Sequence, residues 1–105
     1  MLDERIEVGK LVLYPKRRRA EAAGTKIKLC GKQWEFLAAL GTCAGTLVTR
    51  DYLLVCLHPD PQERPSMRSI DMLACTVRKK IGDALGGENY IHPVPSEGYV
   101  LRASV

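Results

Sequence analysis

The residues with most to offer chemically lie between positions 64 and 82. Arg64, Arg68, Arg78, Lys79 and Lys80 are basic there, against one acid, Asp71. Through the same stretch Met67, Ile70, Ala74, Val77 and Ile81 recur at steps of 3, 4, 3 and 4, the period of one helix face. On such a helix Arg68, Met72, Cys75, Thr76 and Lys79 stand opposite the apolar stripe, with Arg78 and Lys80 at its flanks. Phosphates attract Arg and Lys, the major groove admits a helix, and small polar side chains between the charges meet base edges. By charge alone the pattern is also that of a solvated amphipathic helix whose cations complement the C-terminal end of its dipole. Charge does not decide between the two.

Other candidates for chemistry are poor. His58 and His92 each adjoin a proline, and neither has a nucleophile or carboxylate at a useful spacing. Cys30, Cys43, Cys56 and Cys75 are 13, 13 and 19 residues apart, without the close pair that structural zinc sites use. No enzyme, metal or cofactor is expected. The cysteines read as reduced, mostly buried thiols of a cytosolic protein. Cys75 is the exception, a small contact residue on the basic helix face.

The chain has 105 residues, 46% of them apolar, which suits one domain, 1–105, with one core. Its net charge of +4 is modest, so placement of charge matters more than amount. The start, Met1-Leu-Asp-Glu-Arg, is charged where a signal peptide is apolar. No apolar run nears the roughly 20 residues that span a bilayer, and no membrane role is expected.

Elements follow from pattern. Residues 6–14 read as two strands broken near Gly9-Lys10, and Pro15 ends the run before a basic tip, Lys16-Arg17-Arg18-Arg19. Residues 20–23 form a weak strand, since alanine is a poor strand former, and 26–29 alternate as an edge strand. A first helix runs from Gly31 to Thr42, with Cys30 as N-cap, Gln33 three residues on, and Trp34, Phe36, Leu37, Ala38, Leu40 and Gly41 facing the core. A second starts after the N-cap Thr49, turns Leu53, Leu54 and Leu57 inward, and stops at His58-Pro59. Residues 58–66, with three prolines, are a loop. The third helix spans about 66 to 82, and residues 90–101 read as a hairpin.

In this order of elements the chain resembles the OmpR/PhoB-type winged-helix effector domain of bacterial response regulators. Four stretches carry the resemblance: Leu29-Cys30-Gly31-Lys32-Gln33; Thr49-Arg50-Asp51-Tyr52-Leu53; Arg68-Ser69-Ile70-Asp71 with Val77-Arg78-Lys79-Lys80-Ile81; and Gly98-Tyr99-Val100-Leu101. Within that family Val8-Gly9-Lys10-Leu11-Val12, Leu29, Gly31-Lys32 and Cys75 are similar to the CtrA-like cell-cycle regulators. The resemblance implies an α+β fold, a winged helix-turn-helix with an N-terminal antiparallel sheet, three helices and a C-terminal hairpin wing. It implies a DNA-binding transcription regulator of two-component type, cytoplasmic and associated with the nucleoid.

By that resemblance the third helix enters the major groove of double-stranded DNA. Arg68 and Arg78 would grip phosphates, and Thr76 and Lys79 would face bases with Met72 and Cys75 beside them, Ser69 and Lys80 belonging to the same DNA-binding set. Thr49 and Arg50 would clamp the backbone at a helix start, Ser96 would lie in the wing, and Asp71 would hold a neighbouring Arg. The loop Pro59, Asp60, Pro61, Gln62, Glu63 and Arg64 would meet RNA polymerase, and paired copies would occupy repeated half-sites. The chain departs from the family at Thr76, where Arg or Lys is common, and at Pro95, Ser96 and Glu97 in the wing. Each lost cationic or bidentate contact is worth roughly 1–3 kcal/mol. The departures leave open a second reading, a winged-helix module that binds RNA polymerase or another regulator without specific DNA binding. With Met1 at its start, the chain is expected to stand without a receiver domain and its phosphorylatable Asp.

Overall fold

The computed structural model describes residues 5–103. Residues 1–4, where the start was judged unlike a signal peptide, and residues 104–105, which fall within the expected single domain, lie outside the described residues.

Four strands open the fold: β1 (Ile6–Val8), β2 (Leu11–Tyr14), β3 (Arg19–Ala22) and β4 (Thr25–Ile27). They form an antiparallel sheet in the order β1-β2-β3-β4, with Leu13 opposite Ala20 and Ala20 opposite Ile27. One face carries Val8, Leu11, Leu13, Ala20, Ala22 and Ile27, all buried. Ala20 and Ala22 are fully buried, so packing rather than strand propensity places the alanines in β3. The basic tip is a single 3-10 turn, Pro15–Arg17, after which Arg18 takes a left-handed φ of 49°. Its three arginines turn to their own domain. Arg17 lies 5.9 Å from the Tyr14 ring, Arg18 pairs with Glu35 at 3.6 Å, and Arg19 pairs with Glu21 at 3.0 Å.

Helix α1 (Gly31–Thr42) buries Trp34, Phe36, Leu37, Leu40 and Gly41. Gln33 Oε1 accepts the N–H of Cys30 at 3.1 Å, the reach-back half of a capping box. Helix α2 (Arg50–Leu57) is capped by Thr49, whose Oγ1 accepts from Tyr52 N at 3.1 Å, and buries Leu53 and Leu57. Leu54 is only half-buried.

Between α2 and α3 the proline-rich segment is not shapeless. Pro61–Glu63 makes a 3-10 turn capped by Asp60, whose Oδ1 accepts from Gln62 N at 2.9 Å. Arg64 closes the loop from its other end, donating to the carbonyls of His58 (2.9 Å) and Pro59 (3.2 Å).

Helix α3 spans Arg68–Ala84, two residues later at its start than the sequence suggested and longer at its end. Ser66 O accepts both the N–H (3.0 Å) and the hydroxyl (2.8 Å) of Ser69, a local turn that delays the helix. Gly86 and Gly87, both at positive φ, end it. The C-terminal hairpin, β6 (Ile91–Val94) and β7 (Gly98–Leu101), gains a strand that residue pattern does not predict. This is β5 (Val48–Thr49), paired with β7 in a sheet of order β5-β7-β6. Gly98 permits the pairing, because a Cβ there would collide with the carbonyl oxygen of Val48.

The helices pack around Phe36, Leu37, Leu40, Leu53, Ile70, Val77 and Ile81. The expectation of mostly buried thiols is overturned. Cys30, Cys56 and Cys75 are exposed and Cys43 half-buried, all free, because each falls at a cap or on the outward side of its helix. Among the described residues no helix is long and apolar enough to cross a membrane.

Candidate nucleic-acid interface

Helix α3 divides its residues cleanly. Ile70, Ala74, Val77 and Ile81 are buried, and their packing turns Arg68, Met72, Cys75, Thr76 and Lys79 to solvent, every one of them exposed. At about 100° per residue these five span an arc of about 100° on the helix surface. Met72 stands at the centre of this stripe, 64% exposed. The stripe carries a cation toward each end, Arg68 and Lys79. Its middle carries a thioether, a thiol and a threonine.

The acid of α3's first turn does not oppose these cations. Asp71 Oδ1 accepts the hydroxyl of Tyr99 at 2.6 Å and lies 3.1 Å from Arg50 Nε. The bond from Tyr99 is charge-assisted and so among the stronger ones, whereas Arg50 meets the carboxylate as an ion pair in which its Nε makes no hydrogen bond. One carboxylate thus joins the start of α2, the first turn of α3 and the middle strand of the second sheet. Burial and the hydrogen bond to Asp71 push the Tyr99 hydroxyl up to about 12. Its ring meets Phe36 edge-on, with centroids 5.8 Å apart. The expectation that Asp71 would hold an Arg is met by Arg50, which lies on another helix.

Two further cations of α3 are tethered, in different directions. Arg78 Nε donates to Asn89 Oδ1 at 3.1 Å, which holds the guanidinium beside the segment leading into β6. Lys80 turns away from the stripe. Its Nζ donates to Gln33 Oε1 at 2.7 Å and to Lys28 O at 2.8 Å. Lys80 was expected to contact DNA with its neighbours, but the helical rotation puts it about 100° beyond Lys79, against the start of α1.

The wing turn and the start of α2 form one corner. Arg50 N donates to Glu97 O at 3.1 Å and Glu97 N to Val94 O at 3.0 Å. The four-residue turn places Pro95 second and Ser96 third, and Ser96 has a φ of 65°, the pattern of a type II turn. Thr49, Arg50 and Ser96 are therefore neighbours through the Glu97 carbonyl. Thr49 Oγ1 already accepts the helix N–H of Tyr52, which leaves its hydroxyl proton to donate.

The loop residues Pro59, Asp60, Pro61, Gln62 and Glu63 are exposed and Arg64 is half-buried. Where the loop rejoins α3, His58, Pro65, Ser69, Met72, Leu73 and Thr76 line a shallow groove of about 370 Å³. Sequence reasoning missed Tyr99, Asn89 and Gln33 as positioning residues. The Gly98-Tyr99 motif was the available signal for the first. Nothing in residue spacing marks the other two.

Comparison with known proteins agrees with this architecture. The family model described as "Transcriptional regulatory protein, C terminal" matches residues 24–101. The chain is 35% identical over 97 residues, 92% of its length, to the cell cycle response regulator CtrA of Brucella ovis, and spans 41% of that protein. It thus covers about two fifths of the length of the curated relatives it matches. It superposes on the DNA-binding domain of CpxR from E. coli with a TM-score of 0.80 at 26% identity, covering 97% of this chain and 99% of that one. For the Klebsiella pneumoniae RstA DNA-binding domain, solved in complex with the RstA box, the TM-score is 0.79 at 28% identity, covering 94% and 97%. The chain belongs to the transcriptional regulatory C-terminal family, the OmpR/PhoB-type winged-helix DNA-binding domains of response regulators.

Proposed function

We propose that this domain binds double-stranded DNA to regulate transcription, with α3 in the major groove and the β6–β7 wing beside the backbone. One observation carries the reading. The outward stripe of α3 has Arg68 and Lys79 with Arg78 at its flank, while Asp71 is occupied by Arg50 and Tyr99. A helix face on which cations outnumber acids, with Asp83 the exposed acid at its C-terminal end, is what a phosphate-lined groove attracts. Arg68 and Arg78 contact phosphates, and Met72, Cys75, Thr76 and Lys79 face base edges. Thr49, Arg50, Ser69 and Ser96 meet the sugar-phosphate backbone. Lys80 acts from behind by holding α3 to α1. The RstA domain in complex with the RstA box, sharing the fold, supports the DNA-binding reading.

The same reading gives the finer partners. Two copies on repeated half-sites bind as a pair, in the cytoplasm at the nucleoid, within a single domain spanning 1–105. The exposed loop from Pro59 to Arg64 meets RNA polymerase. Tyr52 and Val55, 52% and 48% exposed on α2, add apolar surface on the helix that precedes the loop.

Fluorescence anisotropy with a short random-sequence duplex over a salt series tests the DNA reading. Neutralising about five or six phosphates lowers affinity roughly 10³-fold between 50 and 200 mM salt, and Arg78→Ala reduces the slope by about one. Weak binding indifferent to salt and to Arg78 would leave a protein-interaction module as the better account.

A further inference from the structure

We propose that the centre of α3 reads thymine through its C5-methyl group, with Met72 and Thr76 as the contacting side chains and Cys75 beside them. The proposal rests on the DNA-binding reading above and names the base class that the stripe selects.

Three observations lead there. Met72 is a large apolar side chain left 64% exposed in the middle of a helix face that is otherwise polar. Thr76, one turn on, donates its hydroxyl to the carbonyl of Met72 at 3.1 Å. That proton is committed within the helix, so the γ-methyl is the part of Thr76 without a polar duty. Cys75 adds an exposed thiol, which behaves as a small apolar group and a weak donor. The middle of the stripe therefore offers methyl, thioether and thiol, while strong donors stand only toward its ends, at Arg68 and Lys79.

Each base pair presents its own edge in the major groove. Guanine shows two acceptors, adenine an acceptor and a donor, cytosine a donor, and thymine an acceptor beside a methyl group. Thymine alone among the four brings an apolar surface to this patch. Guanine at the same place would bury two acceptors against groups that cannot donate strongly, which is unfavourable. The central positions of the half-site are therefore read by exclusion of guanine and burial of the thymine methyl.

The test starts from duplexes selected by the protein out of a random-sequence pool. In the selected duplex each thymine is replaced singly by deoxyuridine, which removes the methyl and nothing else. One or more central replacements are expected to weaken binding roughly threefold to fivefold, the effect of losing burial of one methyl group. The Thr76→Ser variant keeps the hydroxyl and loses the γ-methyl, and Met72→Ala removes the thioether. Against one or the other variant the thymine-to-uracil penalty should vanish at the same position, while the salt slope stays as in the parent. If every thymine tolerates uracil although binding is tight and salt-dependent, methyl readout is wrong and the DNA reading stands. If no duplex is bound in a salt-dependent way, the DNA reading fails and takes this proposal with it.

Discussion

Arg50 Nε and Asp71 Oδ1 lie 3.1 Å apart, and the hydroxyl of Tyr99 reaches the same oxygen from 2.6 Å. The first residue of α2, the first turn of α3 and β7 therefore meet at one carboxylate. Asp71→Ala strands the Tyr99 hydroxyl and removes the counter-charge of Arg50, and is expected to lower stability by about 1–3 kcal/mol, with Tyr99→Phe nearer 1. Urea denaturation of both variants and of the double variant checks the sharing. The double variant should be little worse than Asp71→Ala alone. Full additivity would mean that the two bonds are independent.

Tyr99 also sets an alkaline limit. Its hydroxyl is pushed up to about 12 from the ordinary 10 by burial and by Asp71, so the folded state holds the proton more tightly than the unfolded chain. The contribution is complete below pH 10 and fades as pH rises from 10 toward 12, by an amount on the order of 2 kcal/mol. The Tyr99→Phe variant removes this component. Its stability should fall less steeply than the parent's over that window, measured by thermal melts at stepped pH.

Ser96 sits at φ 65° in the wing turn, a conformation that glycine adopts without strain. Ser96→Gly should raise stability by up to about 1 kcal/mol, the relief of strain being partly offset by greater freedom in the unfolded chain. For a domain of this size that is a rise in Tm of a few degrees, about 4–8 °C per kcal/mol. A lower Tm would show that the serine side chain contributes something the turn geometry does not reveal.

Lys79 and Lys80 are neighbours with opposite duties. Lys79→Ala should leave the melting temperature nearly unchanged and weaken duplex binding, its ammonium counting toward the charge that displaces counterions, so that the salt slope falls by up to about one. Lys80→Ala should do the reverse. It breaks the bonds to Gln33 and Lys28, loosens α3 from α1 by about 1 kcal/mol, and leaves the slope alone. An equal loss of slope in both would place Lys80 on the DNA after all.

Thiol labelling reports orientation without any mutation. Cys30, Cys56 and Cys75 are exposed and should react promptly with a soluble disulfide reagent in the native state, with Cys43 slower. A bound duplex should protect Cys75 and spare Cys30 and Cys56, read by mass spectrometry of the labelled peptides. Protection of Cys56 instead would put α2, and not α3, against the DNA.

The sequence was most readable where period and side-chain type agreed. Ile70, Ala74, Val77 and Ile81 marked the buried face of α3, and all four are buried. Thr49 was readable as a cap because its oxygen acts three residues away. What escaped was whatever depended on a distant partner. Two residues of β5 have no period of their own and exist as a strand only because β7 lies alongside. The tethering of Lys80 by Gln33 spans 47 residues and that of Asp71 by Tyr99 spans 28. A local pattern contains neither, so Lys80 was grouped with the cations it follows. The cysteines were misjudged by a rule about residue type that their positions on each helix override.

The two faces of α3 are carried by nearly separate residues, with Arg78, exposed and tied to Asn89, between them. The side chains that fix the helix in the domain are Ile70, Ala74, Val77 and Ile81, tethered further by Asp71 and Lys80. Those turned outward are Arg68, Met72, Cys75, Thr76 and Lys79. Address and scaffold are thus written in separate letters along one stretch of chain. Exchanging the outward five would redirect the protein to another site while the fold stayed as it is. Diversification of targets within such a lineage needs no compensating change in the core, and a handful of codons suffices.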